Sequence, residues 1–110
     1  MEYTYIFVRV FFTELVLAAP ILLFLLFLII FIGHIIGRVE GWSKLDAIYH
    51  AFINATTVGY GDLRPTKKLS KCLAIAIAVV GLVLFGIVVA IGLHAADYAF
   101  DGVYGPNRFD

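Results

Sequence analysis

The chain has 110 residues, a size that points to one structural unit. Hydrophobic residues make up 63% of it, the mean hydropathy is +1.01 and the formal net charge is zero. So small a domain has too much surface to hide that much apolar side chain in water, and without net charge it offers no basic field for nucleic acid; the bilayer is its natural solvent.

The first 14 residues are apolar and aromatic, with Arg9 embedded, and read as an interfacial helix or an early extension of the first span. Together with the adjoining apolar run, this stretch is too long for a signal peptide, and it lacks a small-residue cleavage site. Residues 15–36 form the first transmembrane helix, and Pro20 either kinks it or sits in its first turn. Thr13 and Glu14 are polar N-terminal signals for that helix. His34 reads as a packed side chain near its end. Gly33, Gly37 and Gly41 recur at four-residue spacing and are expected to pack against the neighbouring inner helix. Glu40 is expected to partner a basic loop residue.

Residues 43–56 predict a short amphipathic helix, with Ser43 as cap and Asp46 three residues on. It reaches only about 20 Å, too short to cross. Residues 57–61 come next, with two glycines in three positions. The stretch from Leu63 to Lys71 is basic and contains Pro65, which predicts an exposed, turn-rich segment. Residues 70–97 form the second span. Its Cys72 is the sole cysteine of the chain, which excludes an intrachain disulfide and a CxxC zinc site; it reads as a buried, inert thiol. Residues 98–110, with Gly102, Gly105 and Pro106, predict a short tail without long regular structure. No repeat is visible, and neither span carries the basic residues at every third position that a voltage sensor needs.

The information lies in Thr56-Thr57-Val58-Gly59-Tyr60-Gly61-Asp62. Backbone inside a membrane must satisfy its polar groups unless it lines a water-filled or ion-filled path. A short helix followed by a glycine-rich strand between two spans fits such a re-entrant segment. Gly59 and Gly61 take positive φ at little steric cost. Alternating handedness lets the carbonyls of Thr57, Val58, Gly59 and Tyr60 point one way, with the side chains of Val58 and Tyr60 turned away to pack behind. Four copies would stack these oxygens into rings, with the Thr57 hydroxyl adding one more, in place of the water shell of a potassium ion. One chain cannot encircle an ion, so this chemistry demands a cyclic oligomer.

This run resembles the signature of the potassium channel family, specifically its class with two transmembrane helices per subunit. The likeness extends through GWSKLDAIYHAFINATTVGYGDLRPT. The resemblance implies an all-α membrane protein of outer helix, re-entrant pore helix plus filter, and inner helix, in a tetrameric ion-channel pore. Its implied ligands are potassium ions, bound along Thr57, Val58, Gly59, Tyr60 and Gly61, with no organic cofactor. It implies a homotetramer among membrane lipids, in the cell membrane, with both termini cytoplasmic. Pore-helix C-termini would aim at a central cavity and favour a cation there. Tyr49 and His50 stand where family members often carry two tryptophans, and with Asp62 at the outer mouth they would support the filter through bonds to Asp62 and Tyr60. Gly81 falls at the inner-helix hinge glycine or serves close packing, and Phe85, Val89 and Leu93 would line the path to the gate. Ile53 and Asn54 depart from the family pattern.

Arg38, Lys44, Arg64, Lys67, Lys68 and Lys71 all lie in the loop so placed outside, against Arg9 and Arg108 inside. The positive-inside tendency alone would invert the protein, and the filter motif is given precedence. His94, with Asp97 nearby, is either a proton-sensitive gate residue or a histidine marking the membrane edge. Three functions stay open at this point: a potassium-selective pore, a non-selective cation channel, and a non-conducting regulatory subunit or a pore module cut from a channel with a sensor elsewhere. An enzyme is not expected: neither span has an aspartate near its centre, and Ser43 and Ser70 lie at loop or helix ends.

Overall fold

The computed structural model describes residues 1–104, and the regular elements among them are all α-helices; the run 57–61, called a strand below, is an extended segment without sheet pairing. Helix α1 runs Glu2–Leu17, α2 Ala19–Glu40, α3 Lys44–Ala55 and α4 Lys68–Tyr104. They group into two compact units, one of Ile21–Phe85 and one of Met1–Pro20 with the described part of Gly86–Asp110. The expectations for residues 105–110, Arg108 included, lie outside the described residues.

Helix α2 has 22 residues and rises about 33 Å, enough to cross the hydrocarbon core. It starts and ends four residues later than the expected 15–36. Pro20 is its second residue, where the missing N–H would have had no helical partner. At the other end Gly37 is tolerated inside the helix and Gly41, with φ +76°, is the left-handed terminator; the Trp42 N–H then donates to the Gly37 carbonyl at 2.8 Å, closing a Schellman turn. Thr13 and Glu14 do not cap α2. They lie within α1, where the Thr13 hydroxyl donates to the Arg9 carbonyl at 2.7 Å.

In the unit of Ile21–Phe85, α3 packs on α2 through small residues. A Cβ on Gly33 would stand 2.6 Å from the Ala51 Cβ, and one on Gly37 would stand 2.5 Å from the Ala47 Cβ. The glycine stripe therefore receives the pore-helix candidate α3, not the inner helix as expected. Alanine faces glycine here because two backbones approach more closely than larger side chains allow. Leu25, Ile29 and Ile36 of α2, Ala47, Ala51 and Ala55 of α3, and Ile77 and Leu84 of α4 are its buried apolar residues.

Helix α4 has 37 residues and rises about 55 Å. Its start is anchored by Glu40, whose carboxylate accepts from the backbone N–H groups of Thr66 and Lys67 at 3.0 and 3.1 Å and from the Thr66 hydroxyl at 2.9 Å. Glu40 thus serves orphan donors beside a helix N-terminus, where negative charge is favourable, and not a basic side chain. The Lys67 ammonium instead donates to the Val39 carbonyl at 2.8 Å.

In the other unit, α4 continues as helix through residues 98–104, where a short irregular tail is expected. One glycine costs only about 1 kcal/mol against alanine in a helix, too little to end one held by packing. Gly102 has such packing: a Cβ there would stand 3.2 Å from the Ile6 Cδ1.

Both α2 and α4 are long and apolar enough to cross a membrane. Their large side chains point outward in number: Leu23, Phe24 and Phe27 of α2 and Ile75, Val79 and Leu82 of α4 are exposed. Cys72 and His34 are exposed as well, contrary to the buried thiol and the packed histidine expected.

Candidate functional site

The site is built outward from α3. The Ser43 Oγ accepts from the Asp46 N–H at 3.1 Å, so the helix begins where the Ser-x-x-Asp pattern predicts. The helix ends at Ala55, with Thr56 as C-cap. The Thr56 hydroxyl donates back to the Phe52 carbonyl at 2.7 Å. The next residues hang from the carbonyls that the helix end leaves over: the Thr57 N–H donates to Asn54 O and the Gly59 N–H to Ile53 O, each at 3.2 Å.

From Thr57 to Gly61 the backbone alternates in hand. Thr57, Gly59 and Gly61 have φ of +65°, +56° and +82°, while Val58 and Tyr60 do not enter positive φ. Glycine takes these values freely, whereas a β-branched threonine there is strained, as functional backbone often is. The N–H groups of Thr57 and Gly59 are turned to the helix end, and the carbonyls of the run are left over. Among the described residues the oxygens of Thr57, Val58, Gly59 and Tyr60 accept no hydrogen bond, while Gly61 O accepts from the Arg64 Nε at 2.9 Å. Val58 and Tyr60 are exposed, so within one chain nothing packs over them.

Behind the strand lies a recess of about 130 Å³, lined in part by Tyr49, His50, Ile53, Asn54, Gly59 and Asp62. The Tyr49 hydroxyl bonds the Asp62 carboxylate, and that bond, with burial and the charge of Asp62, pushes the Tyr49 phenol above its ordinary value. Tyr49 therefore joins the helix to the strand's far end in its protonated form. His50 is buried against the edge of Trp42, with ring centroids 4.9 Å apart. Its Nδ1 has no partner, and burial pushes the imidazole below its ordinary value despite the charges of Asp62 and Glu40. The ring is thus neutral at pH 7, and no bond from its Nδ1 to Asp62 or Tyr60 is made.

Asn54 extends the support to α4, its Nδ2 donating to the Ala74 carbonyl at 2.8 Å. Gly81 closes on the same helix end: a Cβ there would meet the Ala55 carbonyl oxygen and lie 2.7 Å from the Ala55 Cα. Of the two readings of Gly81, close packing is thus present in the fold. Phe85, Val89 and Leu93 are each exposed on α4. His94 faces Glu14 rather than Asp97, with Nδ1 3.6 Å from the Glu14 Oε1. Sequence reasoning did not find Arg64, the Asn54–Ala74 bond or the backbone role of Glu40. Their partners are 3, 20 and 26–27 residues away, and only the last two needed the fold.

A family model described as "Ion channel" matches residues 21–96, more than half of the chain. The chain is 44% identical over 54 residues to the two-pore potassium channel 1 of Arabidopsis thaliana, covering 49% of this chain and 14% of that protein. It is 31% identical over 77 residues to the probable potassium channel protein 2 of Methanocaldococcus jannaschii, covering 70% of this chain and 22% of that one. It is 42% identical over 40 residues to a voltage-gated potassium channel of Aeropyrum pernix, covering 36% and 14%. The chain therefore spans between about a seventh and a fifth of these relatives. No solved structure matches it significantly.

Proposed function

The chain belongs to the ion channel family, as a pore module of the potassium channel kind, and from that premise we propose that it conducts potassium selectively as a homotetramer. One observation carries the reading: the alternating φ signs from Thr57 to Gly61, with four successive carbonyls accepting no bond. Residues 57–60 are exposed in the single chain; inside a membrane assembly their unpaired oxygens would lose water at a cost in free energy, and a dehydrated cation is the polar partner that offsets it. A single chain offers one column of oxygens, whereas four chains about an axis offer rings. Val58 and Tyr60, exposed in the single chain, then pack between neighbouring chains, and Phe85, Val89 and Leu93 face the shared path. Tyr49 and Asp62 brace the strand at its mouth. The module sits in the cell membrane with both termini cytoplasmic.

The test is potassium efflux from liposomes holding the purified chain, with the oligomer's mass measured in the same preparation. Barium-blocked efflux from a four-chain assembly is expected, with a reversal potential that tracks potassium in mixed sodium and potassium solutions. A potential indifferent to the choice between sodium and potassium gives the non-selective channel instead. A monomer without flux ends the reading.

A further inference from the structure

Glu14 of α1 and His94 of α4 lie in the same unit, with the Glu14 Oε1 3.6 Å from the His94 Nδ1. That gap is too wide for a hydrogen bond, which would draw a ring nitrogen and a carboxylate oxygen to about 2.7–2.9 Å. It is close to the spacing of two ligand atoms on one zinc ion. Zinc holds imidazole nitrogen and carboxylate oxygen at about 2.0–2.1 Å in tetrahedral directions, which sets the two atoms about 3.4 Å apart. Among the described residues neither side chain makes a hydrogen bond elsewhere.

The pair opens on a cavity of about 470 Å³, which Thr13 and Tyr98 also line. Water has room there to complete a coordination shell. The two helices are already held in place around the pair. Phe11 stands against Gly92 and Ile6 against Gly102, on either side of His94 along α4, and Ala95 and Ala99 between them are fully buried. An ion that joins the two side chains therefore has little backbone to order, and preorganisation of this kind favours binding.

The ligand atoms select the ion. A nitrogen with a carboxylate oxygen suits zinc and its first-row neighbours, whereas magnesium and calcium take shells of six or more oxygens. Among the described residues no three His, Cys, Asp or Glu side chains gather, so the protein supplies two ligands and water the rest. The Arg9 guanidinium lines the same cavity, 5.9 Å from the Tyr5 ring centroid, and its charge opposes a cation. A site so built is micromolar, unlike the four-ligand structural zinc sites.

We propose that Glu14 and His94 form a binding site for a divalent transition metal ion of the zinc class, which bridges α1 to α4.

The test uses the full chain in detergent micelles, with a fluorescent chelator competing for zinc. Cys72→Ser is the parent, because the exposed thiol is itself a zinc ligand. One zinc per chain is expected at micromolar concentration, and a hundredfold excess of magnesium is not expected to displace it. Glu14→Gln and His94→Gln are each expected to weaken binding at least tenfold. His34→Gln, at another exposed histidine, is expected to leave it unchanged. Zinc is also expected to raise the thermal midpoint of the parent by several degrees and that of neither site variant, since an ion that binds only the native state stabilises it. Both site residues are partly exposed, and metal-free midpoints confirm that their variants fold. Binding that survives either site variant overturns the proposal, as does displacement by magnesium or the absence of zinc binding in the parent. No flux enters the readout, so loss of this site and loss of the potassium pore are told apart.

Discussion

The two units use glycine for different ends. In the unit of Ile21–Phe85, glycine lets backbones meet: Gly33 and Gly37 receive alanines of α3, and Gly81 receives the backbone of Ala55. Hydrogen bonds between residues far apart in sequence, from Asn54 and Glu40, lock those approaches. In the unit of Met1–Pro20 and the described residues from Gly86 to Tyr104, side chains do the meeting. Gly92 has only the Phe11 ring at 3.8 Å, an ordinary van der Waals contact, and the His94 Nδ1 stands 3.6 Å from the Glu14 Oε1. A strand whose carbonyls must be placed to fractions of an ångström needs the first kind of support. A helix pair that only has to stay together does well with the second.

The sharpest way to break the contrast is Gly81→Ala. Its methyl group has no space, and the atoms in the way are backbone, which cannot rotate aside. Overpacking of this kind costs about 1–3 kcal/mol. Here it also pushes on the residue from whose end the 57–61 strand hangs. Potassium flux per reconstituted chain is expected to fall more than about tenfold, alongside a lower thermal midpoint; one factor of ten corresponds to about 1.4 kcal/mol. Unchanged flux with Gly81→Ala means that Ala55 does not set the position of the strand.

Asn54→Leu is expected to cost about 1–3 kcal/mol, because the Ala74 carbonyl loses a donor in a partly buried setting. Thermal unfolding in detergent reads it, and Asn54→Gln should not restore it, since the longer side chain cannot reach the same oxygen from the same Cα. His50 sharpens the comparison through pH. Burial holds the folded-state imidazole below its ordinary value of 6.5, so the unfolded chain binds the proton first as pH falls. The stabilisation is fully present above about pH 6.5 and is lost as pH drops through the depressed folded value. Wild-type thermal stability should therefore fall more steeply between about pH 7 and 5 than that of His50→Gln. Parallel curves would show that another group titrates in its place.

What can be read from sequence depends on the range of each interaction. The Ser43 cap and the glycines of the 57–61 strand are local and legible from neighbours a few residues away. The end of α2 lies beyond its expected place because three glycines at equal spacing look alike in sequence, and only the backbone tells that Gly33 and Gly37 serve packing and Gly41 the turn. Glu40 reads as half of a salt bridge because sequence shows its charge but not the unpaired N–H groups of Thr66 and Lys67 across the fold. The far part of α4 is misjudged from composition: Gly102 weakens a helix in isolation, and contact with Ile6 is invisible until the helices are placed. For the strand itself, residue types point to the alternation at Gly59 and Gly61, while positive φ at Thr57 goes against its β-branched side chain.

The mildest changes belong to the second unit, and there the contrast predicts a gain as well as a small loss. Gly92→Ala meets no backbone, and alanine is favoured over glycine within a helix by up to about 1 kcal/mol. Its thermal midpoint should rise or stay level, opposite in sign to Gly81→Ala on the same helix. Glu14→Gln removes a carboxylate 3.6 Å from the His94 imidazole, between side chains 39% and 60% exposed, where water and salt screen any attraction. Such pairs contribute about 0.5 kcal/mol or less, and the loss should vanish in high salt. A Glu14→Gln effect that is large, persists at about 1 M salt and changes the pH dependence of opening would favour the gate reading of His94 over that of a membrane-edge marker. It would also show that this unit holds a contact as exacting as any around the strand.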